Sequence, residues 1–318
     1  MKQIYVLHEN NEWVVPLREA LGARSLPFVE WFLDAGVVDL AAAPPDGVFY
    51  NRMSASSHTR GHRYGPEYAA AILSWLEGAG RRVCNGGRAL ALEVSKVAQY
   101  AALAAEGIRT PRTIAVVGRE DIVPAARSLP LPFITQHTRA GTGLGVRLFH
   151  DLDALARHVE SDAFEPSVDG VTLLQAHIEA PEPCITRVEF VGGHFLYAVR
   201  VDTSQGFELC PADACRISEG DDAFCPTGDA ADSLFTILTG FSHPLVARYE
   251  AVMAAHDIHV AGIEFIVDRD GVPFTYDINT NTNYNREAEA RVGYSGMGAI
   301  AEYLGRELAA LAPDSSRE

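Results

Sequence analysis

Apolar and polar positions change period several times along the chain. Residues 4–7 (Ile-Tyr-Val-Leu) are a short apolar run that predicts a strand, and 47–50 predict another that ends at Asn51. Residues 26–35 predict a helix. Residues 66–77 predict a second, with proline in its first turn and Gly78 and Gly80 beyond its end. Residues 82–84 predict a further short strand. Strands alternating with helices imply a small parallel α/β unit, whose functional loops leave the C-terminal strand ends. Residues 89–106 predict one long helix stopped by Gly107. Strands are predicted at 113–117, 133–136, 147–149 and 171–175, with helices at 121–128 and 151–160. Hairpins then replace crossovers, so the C-terminal part reads as antiparallel α+β, with helices at 244–255 and 297–311.

Two hairpins carry the most chemistry. Asp270-Gly271 separates two apolar runs rich in β-branched and aromatic residues, a two-residue turn signal. Pairing Arg269 with Val272 sets Glu264 directly across from Asp277. Cross-strand neighbours lie about 5 Å apart at Cβ, and like charges there are destabilising. Asn279 shares the face of Asp277, because strand side chains alternate. Two carboxylates and an amide oxygen on one face suit a hard cation such as Mg²⁺. The second hairpin turns at Gly192-Gly193 and pairs Val191 with His194. In that register Arg187 faces Ala198, with Arg200 diagonal to it on the same face. Two guanidiniums so placed suit a phosphate or carboxylate; two solvated surface arginines fit the pattern equally well.

Composition narrows the class. The chain has 318 residues, enough for two or three compact units, with 47% hydrophobic and 21% charged residues. A net charge of −16 argues against non-specific binding to nucleic acid or an anionic membrane. No apolar run is long enough to span a bilayer, and the first residues lack signal-peptide character, so a cytoplasmic location is expected. The five cysteines, Cys84, Cys184, Cys210, Cys215 and Cys225, are odd in number and scattered, which fits reduced thiols.

Weaker signals lie between these segments. Arg139-Ala140-Gly141-Thr142-Gly143-Leu144-Gly145 joins two predicted strands and reads as a β-turn-β flap. Its glycines allow backbone N–H groups to approach phosphates; a plain hairpin loop would look the same. The polar loop after residue 50 offers Asn51, Ser54, Ser56 and His58 to a small substrate. His58 and His62 have i, i+4 spacing, but the Thr59-Arg60-Gly61 between them argues against a zinc-binding helix.

Taken in order, these pieces resemble the ATP-grasp superfamily, specifically the ribosomal-protein glutamate ligase group, over nearly the whole chain. Asn85, Lys96 and the run 102–113 look like that group's lysine-bearing helix and its continuation. The flap matches. Leu173-Leu174-Gln175-Ala176-His177-Ile178 looks like its adenine hinge, and Thr186-Arg187-Val188 matches its central arginine. Ala261-Gly262-Ile263-Glu264 and Tyr276-Asp277-Ile278-Asn279-Thr280-Asn281 match its metal-ligand signature. Two departures stand out. Gln136 occupies the place of a lysine that meets the nucleotide phosphates. Asn281-Thr282-Asn283-Tyr284-Asn285 replaces a Pro-Gly loop near the substrate, which makes Asn281 and Asn283 substrate candidates.

The resemblance implies an ATP-grasp fold of mixed α/β and α+β class. Its expected parts are an N-terminal α/β domain (1–88), a subdomain with the flap (89–178), a subdomain with the metal site (179–312) and a tail (313–318). It implies ATP and Mg²⁺ or Mn²⁺ as cofactors, and small carboxylate and amine substrates, with homo-oligomers an open possibility. The substrate carboxylate takes the γ-phosphate to give an acylphosphate, and an amine displaces phosphate to give an amide. In that scheme Glu264, Asp277 and Asn279 hold metal, and Arg187 and Arg200 stabilise the transferring group. Lys96, Gln136, Arg139, Gly141, Thr142 and Gly143 meet the phosphates. Gln175, Ala176, His177 and Ile178 present backbone to adenine, and Glu179 or Glu182 takes the ribose. A kinase of the same fold and a non-catalytic nucleotide-binding regulator are the alternatives.

Overall fold

The computed structural model describes residues 2–139, 145–204 and 234–311. Ala140, Gly141, Thr142 and Gly143 of the flap segment, the cysteines at 210, 215 and 225, and the tail 313–318 lie outside the described residues.

The N-terminal sheet contains β1 (Gln3–His8), β2 (Phe28–Phe32), β3 (Gly47–Asn51) and β4 (Arg82–Cys84) in the order β2-β1-β3-β4. All its pairings are parallel. Helices α1 (Val15–Ala23) and α2 (Gly65–Gly78) make the crossovers. Strand β2 corrects the expected helix over 26–35. Its Phe28, Val29, Trp31 and Phe32 are residues that fit a pleated surface. Tyr5 of β1 holds them there, meeting Trp31 edge-on at 5.1 Å and stacking on Phe49 at 4.5 Å. Tertiary pairing overrides the weak helical pattern.

The expected helix over 89–106 is two helices, α3 (Gly87–Glu93) and α4 (Lys96–Ala105). Ser95 is extended between them, and its hydroxyl accepts the Ala98 N–H at 3.2 Å. That cap starts a new helix at Lys96.

A second sheet runs β5 (Thr113–Val117), β6 (Phe133–His137), β7 (Arg147–Phe149) and β8 (Val171–Ala176), in the order β5-β8-β6-β7. Helices α5 (Ile122–Ala126) and α6 (Leu152–Glu160) pack against it around Phe133, Phe149 and Leu174. The third sheet contains β9 (Cys184–Val191), β10 (His194–Asp202), β11 (Phe235–Leu238), β12 (Val260–Val267) and β13 (Pro273–Asn279), in the order β11-β10-β9-β12-β13. Helix α7 (Leu245–Ala255) covers one face through Tyr249, Val252 and Met253. After α8 (Arg286–Val292), helix α9 (Gly296–Ala310) fills the space between the first and third sheets. Its Ile300 and Leu304 share one core with Ile4 and Tyr50 on one side and Tyr197 and Val199 on the other.

Both hairpin registers differ from expectation. Near its turn the second pair, β12 and β13, runs Val267↔Pro273 and Phe265↔Thr275, one residue off the expected register. A bulge at Tyr276 restores it, so Glu264 still faces Asp277. In the other hairpin a bulge at Leu196 shifts the pairing, and Arg187 faces Val199, not Ala198. Arg200 therefore lies on the face opposite Arg187.

Asn85 clasps the first and third sheets together. It is fully buried with φ of 56°. Its Nδ2 donates to Val260 O at 2.8 Å and Thr280 O at 2.7 Å, and its Oδ1 accepts from His259 N at 2.9 Å and Val260 N at 3.1 Å. Every hydrogen-bonding valence of the amide is used. Asn85→Ala should lower unfolding free energy by about 3 kcal/mol, because buried backbone groups lose their partners. Urea denaturation measures this; a loss below about 1 kcal/mol would mean water replaces the side chain.

Candidate functional site

Strands β9, β12 and β13 send Val188, Phe190, Ile263, Phe265 and Ile278 into the core under α7. Strict alternation turns Arg187, Glu189, Glu264, Asp277 and Asn279 to the other face. There Glu264 stands directly opposite Asp277. Such a pair is tolerable only with cations beside it, and the fold supplies two. Lys96, the first residue of α4, places Nζ 2.6 Å from Asp277 Oδ1. Burial works against its ammonium, but Asp277, with help from Tyr100 and Glu264, keeps its pKa above the ordinary value. Arg187 donates to Glu264 Oε1 at 2.8 Å, Glu189 Oε1 at 2.5 Å and Thr282 Oγ1 at 2.6 Å. Thr282 in turn donates to Glu189 Oε2 at 2.9 Å. Burial pushes the Glu264 carboxyl up; Arg187 opposes this and Asp277 adds to it. Gly262 makes the packing possible. A Cβ there would lie 2.6 Å from Arg187 Nη2, and the guanidinium is fixed by its three acceptors.

The donor set suits a hard divalent ion. Among the described residues no group of three His, Cys, Asp or Glu side chains is placed to hold a metal. The candidate set here is two carboxylates and one amide oxygen, and phosphate oxygens and water commonly complete such a shell. Asn279 Nδ2 donates to Asp277 Oδ2 at 3.3 Å, and among the described residues its amide oxygen has no hydrogen-bond partner. That oxygen and the crowded carboxylates fit a cation.

Above this floor lies a cavity of about 500 Å³, bounded by the second and third sheets and by loops of the N-terminal unit. Gln136 and Gln175 line its second-sheet wall, and Gln136 Nε2 donates to Gln175 Oε1 at 3.1 Å. Gln175 Nε2 donates to Tyr100 Oη at 2.7 Å and to Thr113 Oγ1 at 3.2 Å. The hinge Ala176, His177 and Ile178 follows along the same wall. The Ala176 and His177 N–H groups are already donated, to Arg112 O at 2.9 Å and Pro132 O at 3.2 Å. Of the backbone groups this hinge could present, those two N–H groups are therefore engaged within the protein. Glu179 and Glu182 stand exposed at the rim, paired with Arg269 and Arg200 respectively.

The other end meets the N-terminal loops. Ser54, Ser56, Asn281 and Asn283 line the cavity, as does Trp13, which the sequence reading missed. Fully buried Arg52 holds the Asn-rich loop from behind, donating to Asn281 Oδ1 at 3.0 Å, Asn283 Oδ1 at 2.8 Å and Thr282 O at 3.3 Å. Asn51 is not at the cavity. It is buried, donating to Asn85 O at 3.0 Å and accepting from Met53 N. His58 also turns away, its Nδ1 3.2 Å from Ala55 O. Glu93, the last residue of α3, is a second missed lining residue; burial pushes its carboxyl up, opposed by N–H and O–H donors. No motif distinguishes Trp13 or Glu93 in sequence.

Two cationic candidates lie elsewhere. Arg139 is committed to Glu67 of α2, at 2.8 and 3.2 Å, and is not among the cavity-lining residues. That contact holds the Glu67 carboxyl well down, at about 2. Arg200 is half-exposed and pairs with Glu182 across the sheet from Arg187.

No family model matches the chain. A D-alanine–D-alanine ligase of Chromohalobacter salexigens is 27% identical over 177 residues, which are 55% of this chain and 51% of that one. The matched stretch thus spans about half of that relative's length. A RimK-domain ATP-grasp protein of Sphaerobacter thermophilus superposes with a TM-score of 0.66 at 20% identity, covering 95% of this chain and 98% of that one. The ATP-grasp ligase PsnB, solved with a minimal precursor, Mg and ADP, gives 0.62 at 17% identity over 96% and 97% of the two chains. Similarity along nearly the whole length, with a cavity between sheets floored by two opposed carboxylates, shows that the chain has an ATP-grasp fold.

Proposed function

We propose that the chain is an ATP- and Mg²⁺-dependent ligase that joins a carboxylate to an amine on an amino acid or small peptide. The observation that carries this reading is Glu264 opposed to Asp277 beside Asn279, with Lys96 and Arg187 adjoining, on the floor of a nucleotide-sized cavity. Adenine would lie along the second-sheet wall, where the Ile178 N–H is available, with the ribose toward Glu179 and Glu182. The phosphates would then reach Lys96. Mg²⁺, held by Glu264, Asp277 and Asn279, would supply charge neutralisation at the transferring phosphoryl group.

The chain's own residues supply position and charge. Lys96 is near Asp277 and can exchange that partner for a phosphate oxygen. Arg187 is immobilised by three acceptors, so its charge needs no reorganisation when negative charge builds at the reacting phosphorus. The substrate carboxylate oxygen attacks the γ-phosphorus and ADP leaves. The amine nitrogen then attacks the acyl carbon, phosphate leaves with the C–O electrons, and the nitrogen loses a proton. No residue is a covalent nucleophile. The D-alanine–D-alanine ligase comparison supports carbon–nitrogen bond formation in preference to simple phosphorylation.

Asp277→Ala should abolish ATP-dependent phosphate release, since losing a metal ligand costs several kcal/mol of transition-state stabilisation. Assays at ordinary Mg²⁺ concentration test this, and near-wild-type turnover would sink the metal assignment.

Gln136→Lys probes the nucleotide wall. The new ammonium can still donate to Gln175 Oε1 and adds charge toward the phosphates. ATP should bind up to about tenfold tighter through a charge-assisted contact, read by calorimetry with a non-hydrolysable analogue. Unchanged affinity together with unchanged stability would remove residue 136 from the phosphate site.

A further inference from the structure

The cavity wall contains one carboxylate, Glu93, that contacts no cation among the described residues. Glu93 Oε2 accepts from Thr280 N at 2.7 Å and Thr280 Oγ1 at 2.9 Å. Among the described residues its Oε1 receives only the Ala55 N–H, at 3.3 Å. A carboxylate has about four acceptor positions, so Oε1 retains capacity. Among the described residues no lysine, arginine or histidine forms an ion pair with Glu93. It also sits at the C-terminal end of α3, where the helix carbonyls disfavour an acid, and Asp277 adds repulsion. Burial raises its pKa, and the three donors that aim at it work the other way, favouring the ionised form.

The surroundings say what completes the site. Glu93 bridges two loops that line the cavity, Ser54-Ala55-Ser56 on one side and the stretch from Asn279 to Asn283 on the other. The serines, asparagines and Trp13 here are neutral. Arg52, the nearby cation behind the Asn-rich loop, is committed to that loop. The other acidic side chains already discussed each contact a cation: Asp277 contacts Lys96, Glu264 and Glu189 share Arg187, and Glu67 contacts Arg139.

We propose that Glu93 binds the ammonium group of an amino-acid substrate, held between the Ser54–Ser56 loop and the Asn281–Asn283 loop. The assignment rests on the ligase reading and narrows it: the acid substrate itself carries a free, protonated amine, distinct from the amine that attacks. An N-acylated acid would leave Glu93 uncompensated and is excluded.

The test measures binding apart from turnover. Full-length protein with Mg²⁺ and a non-hydrolysable ATP analogue is titrated calorimetrically with a panel of free L- and D-amino acids, each against its N-acetyl derivative. At least one free amino acid should bind while its N-acetyl partner does not. Glu93→Gln should weaken that amino acid about tenfold or more, the size of a lost charge-assisted hydrogen bond. Affinity for the ATP analogue should change less than about twofold, within the scatter of a non-contacting substitution. Glu93→Asp, which keeps the charge, should recover part of the loss. Equal binding of N-acetyl compounds, no binding by any free amino acid, or parallel loss of analogue affinity in Glu93→Gln overturns the proposal. The wild-type comparison decides even if the variants fail to fold. Selective binding of a free amine by a protein that releases no phosphate would leave Glu93 standing and overturn the ligase reading instead.

Discussion

The Glu264–Asp277 opposition is the constraint from which the site is built. Two carboxylates on adjacent strands of a largely buried sheet face repel each other, and a protein retains such a pair only where cations offset it. Lys96 approaches from a helix and Arg187 from the neighbouring strand, so two different elements must be held in register with β12 and β13. Arg187 then needs Glu189 and Thr282 to occupy its remaining donors, and Gly262 to leave room for its guanidinium.

That requirement explains the polar clasps around the third sheet. Lys96 can reach Asp277 only if α4 lies along β13, and Gln99 ensures this. Its Nε2 donates to Leu92 O and Ile278 O, both at 2.9 Å, and its Oε1 accepts from Ile278 N at 3.0 Å. The edge strand's open backbone groups are thereby covered by a helix side chain. Asn85 performs the same task where the N-terminal sheet meets β12. Both amides are buried with their donors and acceptors satisfied, which makes them rigid joints. A Gln136–Gln175–Tyr100 chain runs on to Tyr276 O at 3.2 Å, linking the second-sheet wall to the bulge beside Asp277.

Much of this was legible in the chain because it depends on local periodicity. Alternation in the two hairpins identified Arg187, Glu264, Asp277 and Asn279. The ordered motifs around Lys96, Gln175 and Asp277 indicated the fold. The correct facing of Glu264 and Asp277 came through two deviations that cancel, a longer turn and a bulge at Tyr276. Where one bulge stood alone, at Leu196, the same reasoning set Arg200 on the wrong face. A one-residue shift reverses every side chain beyond it, and no local signal announces it.

The sequence by itself determined the four strands of the second sheet, the two hairpins of the third and the residues that floor the cavity, since their period and charge are local properties; the edge strand β11 and helix α8 were not read from it. Only the tertiary structure decided which polar groups are left for a ligand. Arg139 is committed to Glu67, Asn51 to Asn85, and the Ala176 and His177 N–H groups to neighbouring loops. Glu93, an unremarkable acid at a helix end, is brought to the cavity without a cation. The reason is physical: a side chain's availability depends on partners distant in sequence, and those are fixed only when the three sheets close on one another.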